Sequence, residues 1–270
     1  MKLPDATRMG PVELAVRDLD PSVRFYRDLL GMQVHAHAAR HAELGSDEVL
    51  LKLTAAPDAA PRPPGAAGLY HVAYLVPTRA DLGRAIAHLV RARWPLQGAS
   101  DHEFSEALYL ADPEGNGIEI YADRPRSLWP ALDGRTMRGG PMPMDVEAVL
   151  AEGGDVAWSG YPAGTRVGHV HLNVSDVAPA AEFYRGALGF DMKMQMPGSA
   201  AFLSAGGYHH HVAVNSWGTR GGPANSGETL GLRALSVVLP DGESHENAVK
   251  RLGSDAPADP SGNVVRLSRA

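Results

Sequence analysis

The chain has 270 residues, of which 44% are apolar, and it carries a formal charge of −6 at pH 7. This length allows one or two domains, and the acidic balance with scattered basic residues gives no reason to expect nucleic acid or an anionic membrane as a partner. Because the sequence has no cysteine, disulfides, thiolate catalysis, iron–sulfur clusters and cysteine-based zinc sites are excluded. A signal-peptide pattern and membrane-length apolar runs are also absent, so a soluble cytoplasmic protein is expected.

Two segments align without a gap: "VELAVRDLDPSVRFYRDLLGMQV" at residues 12–34 and "VHLNVSDVAPAAEFYRGALGFDM" at residues 170–192. They share V-x-L-x-V-x-D, then FYR, then LG. Alternating apolar residues predict a strand that ends at Asp18 or Asp176, and each aspartate then caps an amphipathic helix. Each helix is predicted to end at the glycine of the LG pair. The match indicates an internal repeat.

A second pair of segments, near Leu69 and Leu230, has the same strand, turn and helix, and continues to "YLADPEGNGIEIYADRP" and "ADPSGNVVRLSRA". The chain is therefore predicted to have an α+β fold of four βαβββ modules. Two domains, residues 1–125 and 166–270, are expected to be joined by an ordered linker over residues 126–165. The modules, numbered one to four, cover residues 9–54, 68–123, 166–217 and 229–268.

The motifs "VxLxVxD…FYR…LG", "DPEGNGIEIY" and "AAFLSAGGYHHHVAV" resemble those of the vicinal oxygen chelate superfamily. Within it, they are similar to the two-domain extradiol ring-cleaving dioxygenases of the catechol 2,3-dioxygenase type. The resemblance covers nearly the whole chain apart from the linker. It implies that paired modules form vicinal-oxygen-chelate (glyoxalase/dioxygenase-like) domains, which curl around a divalent metal held by the first and last strands of modules.

In the first strands, the resemblance places a metal ligand seven residues before the aspartate of V-x-L-x-V-x-D. That position is His169 in module three, and it is Pro11 in module one. The equivalent strand of module two, "LYHVAYLV", offers His71. Module four offers only Ala234 or Arg233 there, and neither is a plausible ligand.

In the last strands, the ligand position is Glu119 in "GNGIEIY" of module two, whereas "GNVVRL" of module four has Arg266. The resemblance thus implies a metal site of His71, Glu119 and His169. Two imidazoles and one carboxylate are the composition of the facial triad that holds non-haem Fe(II). Mn(II) is the alternative metal, because the same ligands accept both. For each residue, a core or surface role is the competing interpretation.

This ligand set also predicts how the modules pair. In more familiar members of the superfamily, modules three and four share the metal cavity. Here modules two and three carry the ligands, so module two is expected to face module three and module one to face module four.

The stretch "GYHHHVAVN" at residues 207–215 is interpreted as a strand with three histidines. The resemblance implies that such a strand supplies an acid–base histidine beside the metal, and the alignment places it at His210. An imidazole suits this role because its pKa lies near neutrality. Strand alternation predicts that His209 and His211 share the opposite face. Structural or surface roles for the three remain the alternative.

The resemblance implies two further catalytic residues near the substrate oxygens, a tyrosine ten residues before the metal glutamate and a histidine seven before that tyrosine. Tyr109 and His102 stand at these spacings from Glu119. Alternatively, Tyr109 is a core aromatic and His102 a loop residue.

The function implied by the resemblance is extradiol cleavage of a catechol-type ring. The expected partners are a small aromatic diol and O2, and a homo-oligomer is expected because such assemblies are common in the family. Two alternatives share the fold. A glyoxalase-like metal-dependent isomerase or lyase would usually hold the metal with two carboxylates and two histidines, and the last strand of module three is expected to offer histidine instead of glutamate. A metal-free, drug-sequestering binding protein would leave the histidines and glutamate without a purpose.

Overall fold

The computed structural model describes residues 2–132, 134–136 and 140–270. The described residues form five α-helices and sixteen strands, and the strands assemble into two sheets. In chain order the elements are β1 (Arg8–Val16), α1 (Leu19–Arg24), β2 (Gln33–His37), β3 (His41–Gly45), β4 (Val49–Ala55), β5 (Gly68–Leu75), α2 (Arg79–Arg91), β6 (Leu96–Asp101), β7 (Ser105–Ala111), β8 (Gly117–Asp123), β9 (Arg135–Thr136), β10 (Met142–Pro143), α3 (Val146–Gly153), β11 (Arg166–Asn173), α4 (Val177–Glu182), β12 (Asp191–Met196), β13 (Ala200–Ser204), β14 (Val212–Asn215), β15 (Gly231–Leu239), α5 (Gly242–Leu252) and β16 (Val265–Arg269).

Each sheet combines two modules. Sheet one has the order β16-β15-β1-β4-β3-β2, and so joins module one to module four. Sheet two has the order β10-β6-β7-β8-β5-β11-β14-β13-β12-β9, and joins module two to module three. The predicted pairing of modules is therefore confirmed. Each sheet takes strands from both halves of the chain, and the domain limits at 125 and 166 remain predictions.

Both sheets are built around two central antiparallel strands, each with a parallel neighbour on its outer side. In sheet two, β5 runs antiparallel to β11, and the parallel neighbours are β8 and β14. In sheet one, β1 runs antiparallel to β15, with β4 and β16 as parallel neighbours. Positions in one sheet therefore have counterparts in the other.

The repeated helices begin as predicted. Asp18 and Asp176 each accept a hydrogen bond from the backbone N–H two residues ahead, at 3.2 and 3.0 Å. Both helices continue into a π-helical turn over the FYR motif, at Phe25–Leu29 and Phe183–Leu188. This widened turn places each motif's tyrosine in the core.

The two core tyrosines donate hydrogen bonds to the aspartates of the DP turns. The Tyr26 hydroxyl lies 3.0 Å from Asp112 Oδ2, and the Tyr184 hydroxyl lies 3.1 Å from Asp259 Oδ2. Asp112 Oδ1 also accepts from the backbone N–H of Asn116, at 2.8 Å, which closes the predicted turn. Because β8 begins at the next residue, this turn sets where the first residues of β8 enter the sheet.

Module four has fewer strands than predicted. It contains β15, α5 and β16, and the described segment 253–264 adds one isolated bridge between Ala258 and Val264 instead of two strands. The segment contains Pro257 and Pro260. Proline removes a ladder donor, so such a short connection favours turns over a hairpin.

The segment 126–165, expected to be a linker, carries structure of its own. The two-residue strands β9 and β10 extend the two edges of sheet two, and α3 packs on α2. The helices approach closely at Gly83 and Gly153, where a Cβ on Gly83 would overlap the carbonyl oxygen of Val149.

In the part of the chain that is described, no helix is long and apolar enough to cross a membrane.

Candidate active site

One face of sheet two lines a cavity of about 470 Å³, formed only by modules two and three and by the segment that joins them. All six residues predicted for the site line this cavity: His71, His102, Tyr109, Glu119, His169 and His210.

The three candidate metal ligands converge inside the cavity. Glu119 Oε2 lies 3.0 Å from His71 Nε2 and 3.2 Å from His169 Nε2. One donor atom from each residue lies within 4.8 Å of the other two, and all three residues are buried. Because metal–ligand bonds to imidazole and carboxylate are about 2 Å long, one cation can reach all three donors.

Unpaired nitrogen atoms support this interpretation. His71 Nε2 and His169 Nδ1 are buried without a hydrogen-bond partner, although His71 Nε2 is close to Glu119 Oε2. A buried polar atom that lacks a partner costs about 1–3 kcal/mol. Coordination of a cation by His71 would remove part of this cost, so the donor set fits a divalent metal.

Electrostatics favours the protonation states that a metal requires. Burial alone would raise the pKa of Glu119, but His169 and His71 outweigh burial and hold this pKa well below its usual range. Burial lowers the pKa of His169, and Glu119 only partly opposes it. At neutral pH the site therefore offers an ionised carboxylate beside a neutral imidazole, as metal coordination needs.

The sheet register places these side chains. β5 carries His71, and Ala73 on the same strand pairs with Glu119 of β8. The pairing of β5 with β11 shifts by one residue between Val167 and His169, which forms a bulge next to the ligand. A Cβ on Gly168 would overlap the Tyr121 hydroxyl, so glycine lets this bulge pack closely.

Tyr109 and His102 form a hydrogen-bonded pair at one side of the triad. Tyr109 pairs with Glu119 across β7 and β8, and its hydroxyl lies 2.7 Å from His102 Nε2. Burial, reinforced by Glu119, raises the pKa of Tyr109 well above its usual range. Burial also lowers the pKa of His102. A neutral phenol and a neutral imidazole thus face the cavity, and their catalytic roles remain predictions.

The strand predicted across the three histidines is wrong. β14 begins at Val212, and the chain before it turns at Gly206 and Gly207, which have φ values of 61° and 69°. The predicted alternation therefore fails, and His209 and His211 have different surroundings. The Nδ1 atom of His211 lies 2.8 Å from the Ser204 hydroxyl and accepts a hydrogen bond from the backbone N–H of Ala205.

His210 is the one of the three that reaches the cavity. Its ring centroid lies 4.0 Å from that of His169, and Phe202 meets it edge-on at 5.2 Å. Burial lowers the pKa of His210 well below its usual range. The alignment on the family motif thus selected the histidine that faces the cavity. The separate prediction that the three histidines alternate along a strand was wrong.

The structure adds cavity residues that the sequence analysis did not select. His171 stands opposite His71 in the sheet register, its ring perpendicular to that of His71 at 5.0 Å, and its Nε2 lies 3.0 Å from Asn215 Nδ2. Its position two residues after His169 on a strand was the available signal, because such residues share a face. Aromatic side chains complete the wall: Tyr70, Phe104, Phe202 and Trp217.

The last strand of module three does not offer a histidine at the fourth ligand position. β14 pairs with β11 as β8 pairs with β5, and this register makes Ala213 the counterpart of Glu119. The expectation of a histidine there was wrong because the three histidines precede β14. A fourth protein ligand is absent at this position.

A family model described as the Glyoxalase/Bleomycin resistance protein/Dioxygenase superfamily matches residues 8–120 and 166–255. A protein of Bacillus subtilis (strain 168), named catechol-2,3-dioxygenase, is 43% identical over 92% of this chain and 89% of its own length. Biphenyl-2,3-diol 1,2-dioxygenase 2 of Rhodococcus globerulus is 33% identical over 33% of this chain and 49% of its own.

Two solved structures share the fold. One, from Bacillus subtilis subsp. subtilis str. 168, covers 100% of this chain and 86% of its own, with a TM-score of 0.66 and 13% identity. Glyoxalase I from Zea mays covers 97% of this chain and 92% of its own, with a TM-score of 0.56 and 16% identity. Because this superfamily includes both glyoxalases and dioxygenases, the sequence relatives and the site are stronger evidence for function than the fold is. The chain belongs to the Glyoxalase/Bleomycin resistance protein/Dioxygenase superfamily and, within it, to the catechol-2,3-dioxygenase-like enzymes.

Proposed function

We propose that the protein is an extradiol dioxygenase that cleaves a catechol-type ring with O2 at a non-haem Fe(II) held by His71, Glu119 and His169. The observation that carries this proposal is the convergence of these three buried donors in a cavity large enough for an aromatic ring. Three protein ligands leave coordination positions open for both substrates. Mn(II) suits the same donors and is the alternative metal.

The bound metal would supply Lewis acidity, which eases deprotonation of a catechol hydroxyl, and would link the diol electronically to O2. The protein's own groups then manage protons and orientation. His210 borders the cavity beside His169, so it can accept a proton from the second hydroxyl and return it later. The Tyr109 hydroxyl, held by His102, can hydrogen-bond a substrate oxygen near the metal.

The cavity walls suit a flat apolar ring. Phe104, Phe202 and Trp217 offer aromatic faces and edges, and Met194 and Met196 provide adaptable apolar contact. Among the described residues of this lining, Glu119 is the one side chain of permanent charge, and it is committed to the metal site. The substrate proposed is therefore a small aromatic diol.

The two other functions of this fold fit less well. A glyoxalase-like isomerase or lyase would use a second carboxylate, and Ala213 occupies the position where it would stand. A metal-free binding protein would leave His71 Nε2 buried without a hydrogen-bond partner. The cavity favours the dioxygenase on both counts.

The test is ring cleavage by the reconstituted protein. The protein is loaded with Fe(II) without oxygen and mixed with catechol, air is admitted, and a yellow ring-cleavage product is followed by absorbance together with O2 uptake. Parallel samples receive Mn(II), or methylglyoxal with glutathione as a glyoxalase substrate. Iron binding without cleavage, combined with turnover of the glyoxalase substrate, would contradict the proposal.

A homo-oligomeric state and a cytoplasmic location remain predictions.

A further inference from the structure

A buried chain of polar groups runs from the cavity histidine to the far end of β8. His210 Nδ1 lies 2.7 Å from His209 Nδ1, and His209 Nε2 lies 3.0 Å from Asp123 Oδ1. His209 does not line the cavity and is fully buried, whereas the Asp123 side chain is 21% exposed. Any action of the two residues on the cavity therefore passes through His210.

The chemistry of these three groups fixes where their protons lie. A neutral imidazole has one N–H donor and one bare nitrogen acceptor. Burial lowers the pKa of His209, which favours its neutral form. An aspartate carboxylate can only accept, so the neutral His209 must donate from Nε2, and its Nδ1 is then bare. That bare nitrogen can only accept, so His210 must donate from Nδ1. His210 Nε2 is left without a proton.

We propose that Asp123 and His209 are positioning residues that hold His210 in the tautomer with a bare Nε2, ready to accept the proton of a substrate hydroxyl. This inference rests on the proposed function for its catalytic meaning. When His210 takes that proton onto Nε2, its ring becomes an imidazolium, and its Nδ1–H still points at His209. The nearby negative charge of Asp123 then stabilises the cation. A carboxylate that orients a catalytic histidine does the same in serine hydrolases.

The surroundings of His209 make it rigid. Its ring stacks on Phe104 at 4.4 Å and 20°, and it packs against Tyr208 and Trp129 at 4.0 and 5.2 Å. An apolar side chain would fill this aromatic slot without any need for hydrogen bonds. His209 instead pairs one ring nitrogen with a carboxylate and the other with the cavity histidine, and so connects the two groups by hydrogen bonds, which an apolar side chain could not do.

The first arm of the test reads the tautomer directly and needs no turnover. Nitrogen-15 NMR of the histidine rings, on protein loaded with diamagnetic Zn(II), distinguishes protonated from bare ring nitrogens. The expected pattern is His210 protonated on Nδ1 and bare on Nε2, and His209 the reverse. In Asp123→Asn the amide can also donate, so His210 should populate the form protonated on Nε2. A wild-type His210 protonated on Nε2 would overturn the proposal.

The second arm measures ring cleavage. Asp123→Asn should lower kcat about tenfold or more, without exceeding the 10²- to 10⁴-fold that a general base contributes, and KM and iron content should be retained. Asp123→Glu, which keeps a carboxylate, should restore part of the rate. The control is Asp20→Asn, which removes an aspartate 3.7 Å from His37 Nε2 in module one and should leave kcat unchanged.

Two kinetic outcomes would show a structural role instead. They are an unchanged kcat in Asp123→Asn, and a loss of activity that parallels loss of iron and of thermal stability. If the wild-type protein cleaves no diol, the proposed function fails, and the NMR pattern still decides whether Asp123 and His209 set the tautomer of His210.

Discussion

Sheet one and sheet two share one plan, yet only sheet two carries a candidate metal site. The sheet-one counterparts of His71, His169 and Glu119 are, in that order, Ala234, Pro11 and a basic residue. That basic residue is Arg266, whose Nε forms an ion pair with Glu13 Oε1 at 2.9 Å. The comparison teaches that the repeated fold supplies positions, and that a few side chains decide whether these positions bind a metal.

The largest expected effect comes from removing a ligand in sheet two. His71→Ala, Glu119→Ala and His169→Ala should each lose bound iron and all ring cleavage, because two donors cannot replace a buried three-donor site. Iron per chain is measured by atomic emission, and folding by circular dichroism. Arg266→Ala in sheet one is the matched control, since it occupies the position equivalent to Glu119. Full iron retention in His71→Ala would remove it from the ligand set.

A smaller effect should separate the cavity histidine His210 from its neighbour His211. His210→Ala should keep iron and bind catechol, yet lose about 10²- to 10⁴-fold in kcat, the usual contribution of a general acid–base group. His211→Ala should instead reduce stability with little change in kcat, because His211 hydrogen-bonds Ser204 and does not line the cavity. If His210→Ala also lost its iron, His210 would be a ligand.

His211 should remain neutral near pH 7, so its protonation should affect stability only at lower pH. Burial lowers the pKa of His211 to about 3. A histidine whose folded pKa is depressed favours folding above its unfolded pKa, near 6.5, and this contribution is lost as the pH falls toward the folded value. Chemical unfolding at pH 7 and pH 5 should thus show His211→Ala less destabilised, relative to wild type, at pH 5. Equal destabilisation at both pH values would contradict this.

Sequence periodicity and the internal repeat were sufficient for the module limits and the helix caps, and together with the ligand positions implied by the family resemblance they were sufficient for the pairing of modules. They were insufficient at "GYHHHVAVN", where Gly206 and Gly207 turn the chain before the strand begins. Asp123 was not selected either. Its contact with His209 joins β8 to a turn of module three, and local sequence patterns do not predict a contact between residues so far apart in the chain.

A more modest change in activity should follow from the wall residue opposite Glu119. Tyr109 pairs with Glu119 across β7 and β8, and Phe202 pairs with Ala213 in the corresponding place of module three. Tyr109→Phe makes the two walls alike and removes one neutral hydrogen bond. A bond of about 0.5–1.5 kcal/mol corresponds to a loss of roughly 2- to 13-fold in kcat/KM. Tyr26→Phe, which removes a hydroxyl that does not line the cavity, is the control, and steady-state kinetics with unchanged iron content is the measurement.

A loss of stability should appear equally in both halves of the chain. Tyr26→Phe and Tyr184→Phe each remove a hydrogen bond to a buried aspartate, Asp112 or Asp259, and each should lower the free energy of unfolding by about 1–3 kcal/mol. Chemical unfolding measures both. A large difference between the two variants would show that the tyrosine–aspartate contacts are not equivalent.

The pH dependence of these variants sharpens the test. Burial raises the pKa of Asp112, and the Tyr26 hydroxyl partly opposes that rise. A carboxyl whose folded pKa is raised favours folding below its unfolded pKa, about 4, and this contribution is lost as the pH rises through the folded value. Tyr26→Phe raises the folded pKa further, so its deficit relative to wild type should widen from pH 4 to pH 7. A deficit that narrows over this range would mean that Tyr26 does not stabilise the ionised form of Asp112.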